Sequence, residues 1–159
     1  MSEPDEASGM ASGGVGPAVE AVRALGRVSR LLERASGELS LSHYRVLSAI
    51  ASGDERASRV AARLAVGKPT ISASVESLCR RGLLARSTVE GDHRAAALRL
   101  TAPGQAMLSR VEAEMVARLE DLGARTPDSG RLIESLVWLG VAIEADAAER
   151  QGRLGGDRR

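Results

Sequence analysis

The fold is decided by residues 58–82, which read SRVAARLAVGKPTISASVESLCRRG. Apolar residues recur at helical spacing on both sides of the Val66-Gly67 break, so the stretch predicts two short helices joined by a tight turn. We expect Ser58 to cap the first helix, and the second has a proline in its first turn and a stop at Gly82. The inward face of the second helix is formed by Ile71, Val75 and Leu78.

The outward face of this second helix is small and polar. Small side chains allow a helix axis to approach base edges in the major groove of DNA, which is roughly 12 Å wide. Serine and threonine hydroxyls bind bases and phosphates, and a helix N-terminus attracts phosphate. The outward residues are Lys68, Thr70, Ser72, Ala73, Ser74 and Ser77. The pattern therefore predicts a recognition helix for duplex DNA.

The hydrophobic period changes after this helix. Residues 83–89 and 96–100 read as two short strands around a polar tip at residues 90–94, which predicts a β-hairpin. Arg94 lies at that tip, where it would reach the DNA backbone or the neighbouring minor groove, whose negative potential favours arginine.

Helical patterns lie on both sides of this core segment, and the chain ends are polar. Ser40 and Thr101 are expected to be N-caps. The predicted helices cover residues 17–36, 41–51, 101–125 and 129–150, with flexible tails at 1–16 and 151–159. The order of elements predicts a mostly α (α+β) fold: a winged helix-turn-helix with a two-stranded β-wing.

Composition narrows the function classes. The net charge of +1 does not itself indicate a nucleic-acid binder, although residues 54–100 are more basic than the remainder. No apolar run approaches the roughly 20 residues of a membrane span, so no membrane partner is expected. The N-terminus lacks a signal peptide and Cys79 is the single cysteine, which together predict a cytoplasmic protein.

Residues 61–72 (AARLAVGKPTIS) and 78–84 (LCRRGLL) resemble the helix-turn-helix of the MarR family, the multiple antibiotic resistance regulators. Asp92-His93-Arg94 together with residues 98–104 (LRLTAPG) is similar to the wing signature of that family. The resemblance extends from about residue 21 to residue 148.

This resemblance implies a transcriptional regulator, usually a repressor, that binds a pseudo-palindromic operator as a homodimer. It implies dimerisation through the N- and C-terminal helices (17–36 and 101–150) and DNA binding by the lobe at 40–100. Asp92 would hold Arg94 in place at the wing. The residues expected at DNA are Ser58, Lys68, Pro69, Thr70, Ser72, Ala73, Ser74, Ser77, Arg86, Asp92, His93 and Arg94.

Many members of the family release DNA when a small molecule or oxidant binds. The family's pocket lies between the DNA-binding lobe and the dimer helices, which here implies Tyr44, Leu47, Met107 and Val111 as its neighbourhood. Control by protein abundance alone, with no pocket, is the other interpretation.

The sequence also departs from the family pattern. Ala73 and Ser77 stand where relatives often carry arginine, and His93 replaces a common wing arginine. These departures predict weaker binding, or binding that depends more on DNA shape than on contacts between arginine and guanine.

Other functions have less support in the sequence. A winged-helix module that docks on a partner protein through residues 68–81 is the alternative to DNA binding. No nucleophile, phosphate-loop or paired-carboxylate motif is present, so neither an enzyme nor a cofactor is expected. His43 and His93 lack metal-ligand spacing, so no metal site is expected. Cys79 is interpreted as a structural thiol, with redox sensing as the alternative.

Overall fold

The computed structural model describes residues 16–53, 56–87 and 97–156. Within them, six helices accompany two antiparallel strands. The elements are α1 (Pro17–Ala35), α2 (Leu41–Ala51), α3 (Ala57–Arg63), α4 (Lys68–Arg80), β1 (Leu84–Ser87), β2 (Ala97–Leu100), α5 (Ala102–Gly123) and α6 (Ser129–Gly156). The predicted mostly α winged helix-turn-helix is confirmed.

The chain divides into two compact units between Leu31 and Leu32. Most of α1 forms the first unit, and no residue of this helix is buried. The end of α1 and every later element form the second unit, which contains the hydrophobic core.

The core of the second unit is aliphatic. Burying one such side chain stabilises the fold by about 1.5–3 kcal/mol, so a chain without phenylalanine can still build a core from many leucines and valines. The large side chains that are most completely buried are Leu39, Val46, Leu47, Val60, Leu78 and Val111.

A tight turn sets the direction of α4 relative to α3. Ala65 has φ of +52°, in the left-handed region that non-glycine residues rarely adopt. The Val66 N–H donates to the Ala61 carbonyl at 3.1 Å, which closes the turn behind α3. The prediction that Ser58 caps α3 is wrong. The helix begins at Ala57, so Arg56 is the N-cap and Ser58 lies within the first turn.

Thr101 joins the base of the hairpin to α5. Its hydroxyl donates to the Gly82 carbonyl at 2.6 Å and accepts from the Gly104 N–H at 3.0 Å, which confirms it as the N-cap of α5. The strands pair in the register Leu84 with Leu100 and Ser87 with Ala97. This hydroxyl therefore fixes the start of the wing relative to the recognition helix.

Helix α6 continues to Gly156, beyond the predicted helix end at residue 150. Two ion pairs at i,i+4 spacing support the extension: Arg150 with Asp146 at 2.6 Å and Arg153 with Glu149 at 3.3 Å. None of the described helices combines the length and apolarity needed to cross a membrane.

Candidate nucleic-acid interface

Helix α4 has one buried flank and one open flank. Ile71, Val75 and Leu78 are at most 3% exposed, as the sequence predicts. On the open flank the side chains are exposed at Lys68, Pro69, Thr70, Ser72 and Ala73, and half-buried at Ser74 and Ser77. The buried flank anchors the helix, and the open flank presents hydroxyl and small side chains.

The N-terminus of α4 is also open. Gly67 is the N-cap, and no side chain caps the helix there. The backbone N–H groups of Lys68 and Thr70 have no carbonyl of the preceding turn to bind, and Pro69 has no N–H. Two backbone donors therefore lie at the end of the exposed flank where α4 begins with the exposed Lys68, which suits an anion such as a phosphate.

The wing adds exposed cations near its base. Arg86 on β1 and Arg99 on β2 are both exposed. Asp92, His93 and Arg94 lie outside the described residues, so their roles at the wing tip remain predictions. Ser58 is exposed on α3 and also remains a predicted contact.

The four residues predicted near an effector pocket belong to the core or pack against it. Leu47 and Val111 are 0% and 2% exposed, whereas Tyr44 and Met107 are half-buried against the core. Burial raises the pKa of Tyr44, Glu112 raises it further, and a hydrogen bond with Ser48 opposes both effects. This neighbourhood remains a prediction.

Helices α3 and α6 line a concavity that was not predicted from the sequence. Its volume is about 780 Å³. Arg63 Nη2 donates to Glu144 Oε1 across it at 2.7 Å. The i,i+4 spacing of Arg59 and Arg63 was a signal for a cationic face, but nothing local indicated that α6 would lie opposite.

His43 and Cys79 lie in separate settings. Burial lowers the pKa of His43, and the nearby positive charge of Arg81 lowers it further. Cys79 is a half-buried free thiol beside a shallow concavity that Arg80 and Arg86 also line. In the described ranges, no group of three or more His, Cys, Asp or Glu residues is arranged to hold a metal ion.

Comparison with protein-family models matches residues 38–95 to the MarR family. The M. tuberculosis transcriptional regulator MOSR, solved in complex with DNA, is 26% identical with a TM-score of 0.57, and the alignment covers 82% of this chain and 98% of that one. The transcriptional repressor CouR, bound to a 23-mer DNA duplex, is 24% identical with a TM-score of 0.67, covering 82% and 92%.

CouR from Rhodococcus jostii RHA1 has also been solved bound to p-coumaroyl-CoA. That structure is 21% identical to this chain with a TM-score of 0.65, covering 80% of this chain and 90% of the other. Comparison with curated proteins found no significant match.

A helix-turn-helix followed directly by paired strands, with long helices after them, defines the winged-helix class of transcription regulators. The MarR family model matches residues 38–95, and solved structures of regulators share the fold over most of the chain. Residues 38–95 of the chain are therefore similar to the MarR family.

Proposed function

We propose that this chain is a homodimeric repressor that inserts α4 into the major groove of a pseudo-palindromic operator. The observation that carries the proposal is the division of α4 into a buried apolar flank and an open flank of small polar side chains. An open flank next to unpaired backbone donors fits a groove lined with base edges and phosphates. MOSR and CouR, both of similar fold, have been solved with DNA. The protein would act in the cytoplasm, with the chromosome.

The proposed dimer rests on the uncovered apolar surface of α6. A helix with apolar residues around most of its circumference is normally buried in an assembly. The exposed apolar residues of α6 are Ile133, Val137, Trp138, Leu139, Val141 and Ile143. We propose that a second copy of the chain covers this surface of α6. A two-fold axis between the copies would present two α4 helices about 34 Å apart, which is one turn of DNA.

We also propose a small-molecule effector that changes operator affinity. CouR, which has a similar fold, has been solved with p-coumaroyl-CoA and also with DNA. A ligand regulates in this way only when it binds the DNA-competent and DNA-incompetent states with different affinity.

The test is a fluorescence anisotropy titration of the purified chain with duplexes from the region upstream of its own gene. The proposal predicts binding that survives excess non-specific competitor DNA, with footprinted half-sites about one helical turn apart. Binding that competitor removes completely would contradict sequence-specific recognition and favour the protein-interaction module.

A further inference from the structure

The open flank of α4 lacks the side chains that usually read bases through paired hydrogen bonds. Arginine reads guanine in this way, and asparagine or glutamine reads adenine. Helix α4 contains no asparagine or glutamine, and its only arginine is Arg80 at the C-terminal end. Arg80 Nη1 lies 3.8 Å from Glu76 Oε1, so this guanidinium already has a carboxylate partner. Sequence recognition by α4 therefore needs a different kind of contact.

Ala73 lies on the side of α4 opposite the buried flank. At about 100° per residue, it is nearly opposite the middle of the flank formed by Ile71, Val75 and Leu78. Pro69 lies about one turn earlier on the same side, and both side chains are exposed. A recognition helix contacts base edges mainly through its N-terminal residues. Pro69 and Ala73 are therefore the side chains that meet base edges when this helix enters the major groove.

These two side chains are apolar and cannot form hydrogen bonds with a base. The apolar group that a base pair presents in the major groove is the 5-methyl group of thymine. We propose that α4 recognises its operator by packing Pro69 and Ala73 against a thymine methyl group in each half-site. This inference rests on the proposed function, and it names the base that the α4 interface reads.

The size of the effect follows from the apolar surface that such a contact removes from water. Burying one methyl group against apolar carbon changes an affinity by about four-fold. The proposed homodimer makes the contact twice, so loss of both methyl groups should weaken binding by about 16-fold. No charge is lost, so this ratio should stay the same when the salt concentration changes, unlike the effect of losing a phosphate contact.

The test uses a duplex that the wild-type chain selects from a pool of random sequence. Symmetric pairs of thymidines in its half-sites are replaced by deoxyuridine, which lacks only the 5-methyl group, one pair at a time. Anisotropy titrations should identify one pair whose replacement weakens binding by about 16-fold at low and at high salt. Cytosine at the same two positions should also weaken binding, and 5-methylcytosine should recover part of that loss because it restores the methyl group.

The variant Ala73→Gly tests whether this side chain contacts the methyl group. The ratio of affinities for the thymidine and deoxyuridine duplexes should fall to about four-fold or less. Ala106→Gly makes the same change at an exposed position of α5 and should keep the wild-type ratio. Because each ratio compares two duplexes bound by the same protein, a loss of helix stability does not imitate the effect.

The outcomes separate this inference from the proposed function. Affinities within about two-fold for thymidine and deoxyuridine at every position would overturn the methyl contact while operator binding stands. A full ratio retained in Ala73→Gly would place the methyl group against another residue and would also overturn it. If the wild type selects no common sequence, the proposed function and this inference fail together.

Discussion

At the base of the wing, Gly104 lies against the backbone of Leu83. A Cβ atom at position 104 would overlap the Leu83 carbonyl oxygen, and backbone atoms cannot move aside as a flexible side chain can. We predict that Gly104→Ala lowers the free energy of unfolding by about 1–3 kcal/mol, measured by urea denaturation.

The matched control for this substitution is Gly26→Ala, in the middle of α1. A Cβ there has no neighbour within 4 Å, and alanine favours a helix over glycine. Gly26→Ala should therefore leave stability unchanged or raise it slightly. An unfolding free energy for Gly104→Ala equal to that of the wild type would contradict the close packing.

His43 makes stability depend on pH. Its pKa in the folded chain lies below the ordinary value of 6.5, because burial and Arg81 disfavour the charged ring. Above pH 6.5 the ring is neutral in both states, and below it the unfolded chain takes up the proton first. The free energy of unfolding should therefore fall as the pH drops below this value.

The measurement compares the wild type with His43→Gln by urea denaturation at about pH 7.5 and about pH 5. The variant keeps a polar side chain that does not titrate in this range. It should lose less stability between the two conditions than the wild type does. Equal losses in both proteins would show that His43 contributes nothing to the pH dependence.

The wing is the element whose role depends most on a single predicted contact. We predict that Arg94→Ala weakens operator and non-specific binding to a similar extent and reduces the slope of log affinity against log salt by about one unit. Anisotropy titrations at several salt concentrations would check both effects. An operator affinity equal to that of the wild type at moderate salt would refute the contact.

Elements with strong local signals were predictable from the sequence. Helix α4 has apolar residues at i, i+4 and i+7 and a glycine stop, and the structure buries that face. The end of α6 was not predictable from its apolar stripe, because ion pairs such as Arg153 with Glu149 carry the helix further.

The concavity between α3 and α6 illustrates why a feature of the tertiary structure can escape sequence analysis. Arg63 and Glu144 are 81 positions apart, and only tertiary packing brings them together. The α4 flank, by contrast, could be assigned as exposed because burial of its opposite side follows from helical periodicity alone. Whether that flank contacts DNA depends on a partner molecule, so it stays a prediction.

At the scale of the whole molecule, the proposed dimer is the feature that would set operator geometry. Val137 and Val141 lie one turn apart on α6 and are 59% and 64% exposed. We predict that the double substitution Val137→Glu, Val141→Glu gives a monomer in sedimentation equilibrium, because buried carboxylates would oppose association. Operator affinity should fall at least about ten-fold, since each half-site then binds alone.

The control for the dimer is Glu149→Gln, an exposed substitution further along the same helix. It should sediment like the wild type. A wild-type chain that sediments as a monomer at concentrations where it binds a two-half-site operator would contradict the proposed assembly.

The placement of α4 against DNA is tested most directly by comparing the operator affinity of the Ser72→Glu variant with that of the Ser109→Glu variant. Ser72 is exposed on the open flank of α4, and Ser109 is exposed on α5. If the open flank of α4 lies in the major groove, the carboxylate at position 72 meets DNA phosphates and lowers affinity by about 100-fold or more, while the control binds as the wild type does. Equal affinity for the two variants would contradict the placement of α4 against DNA.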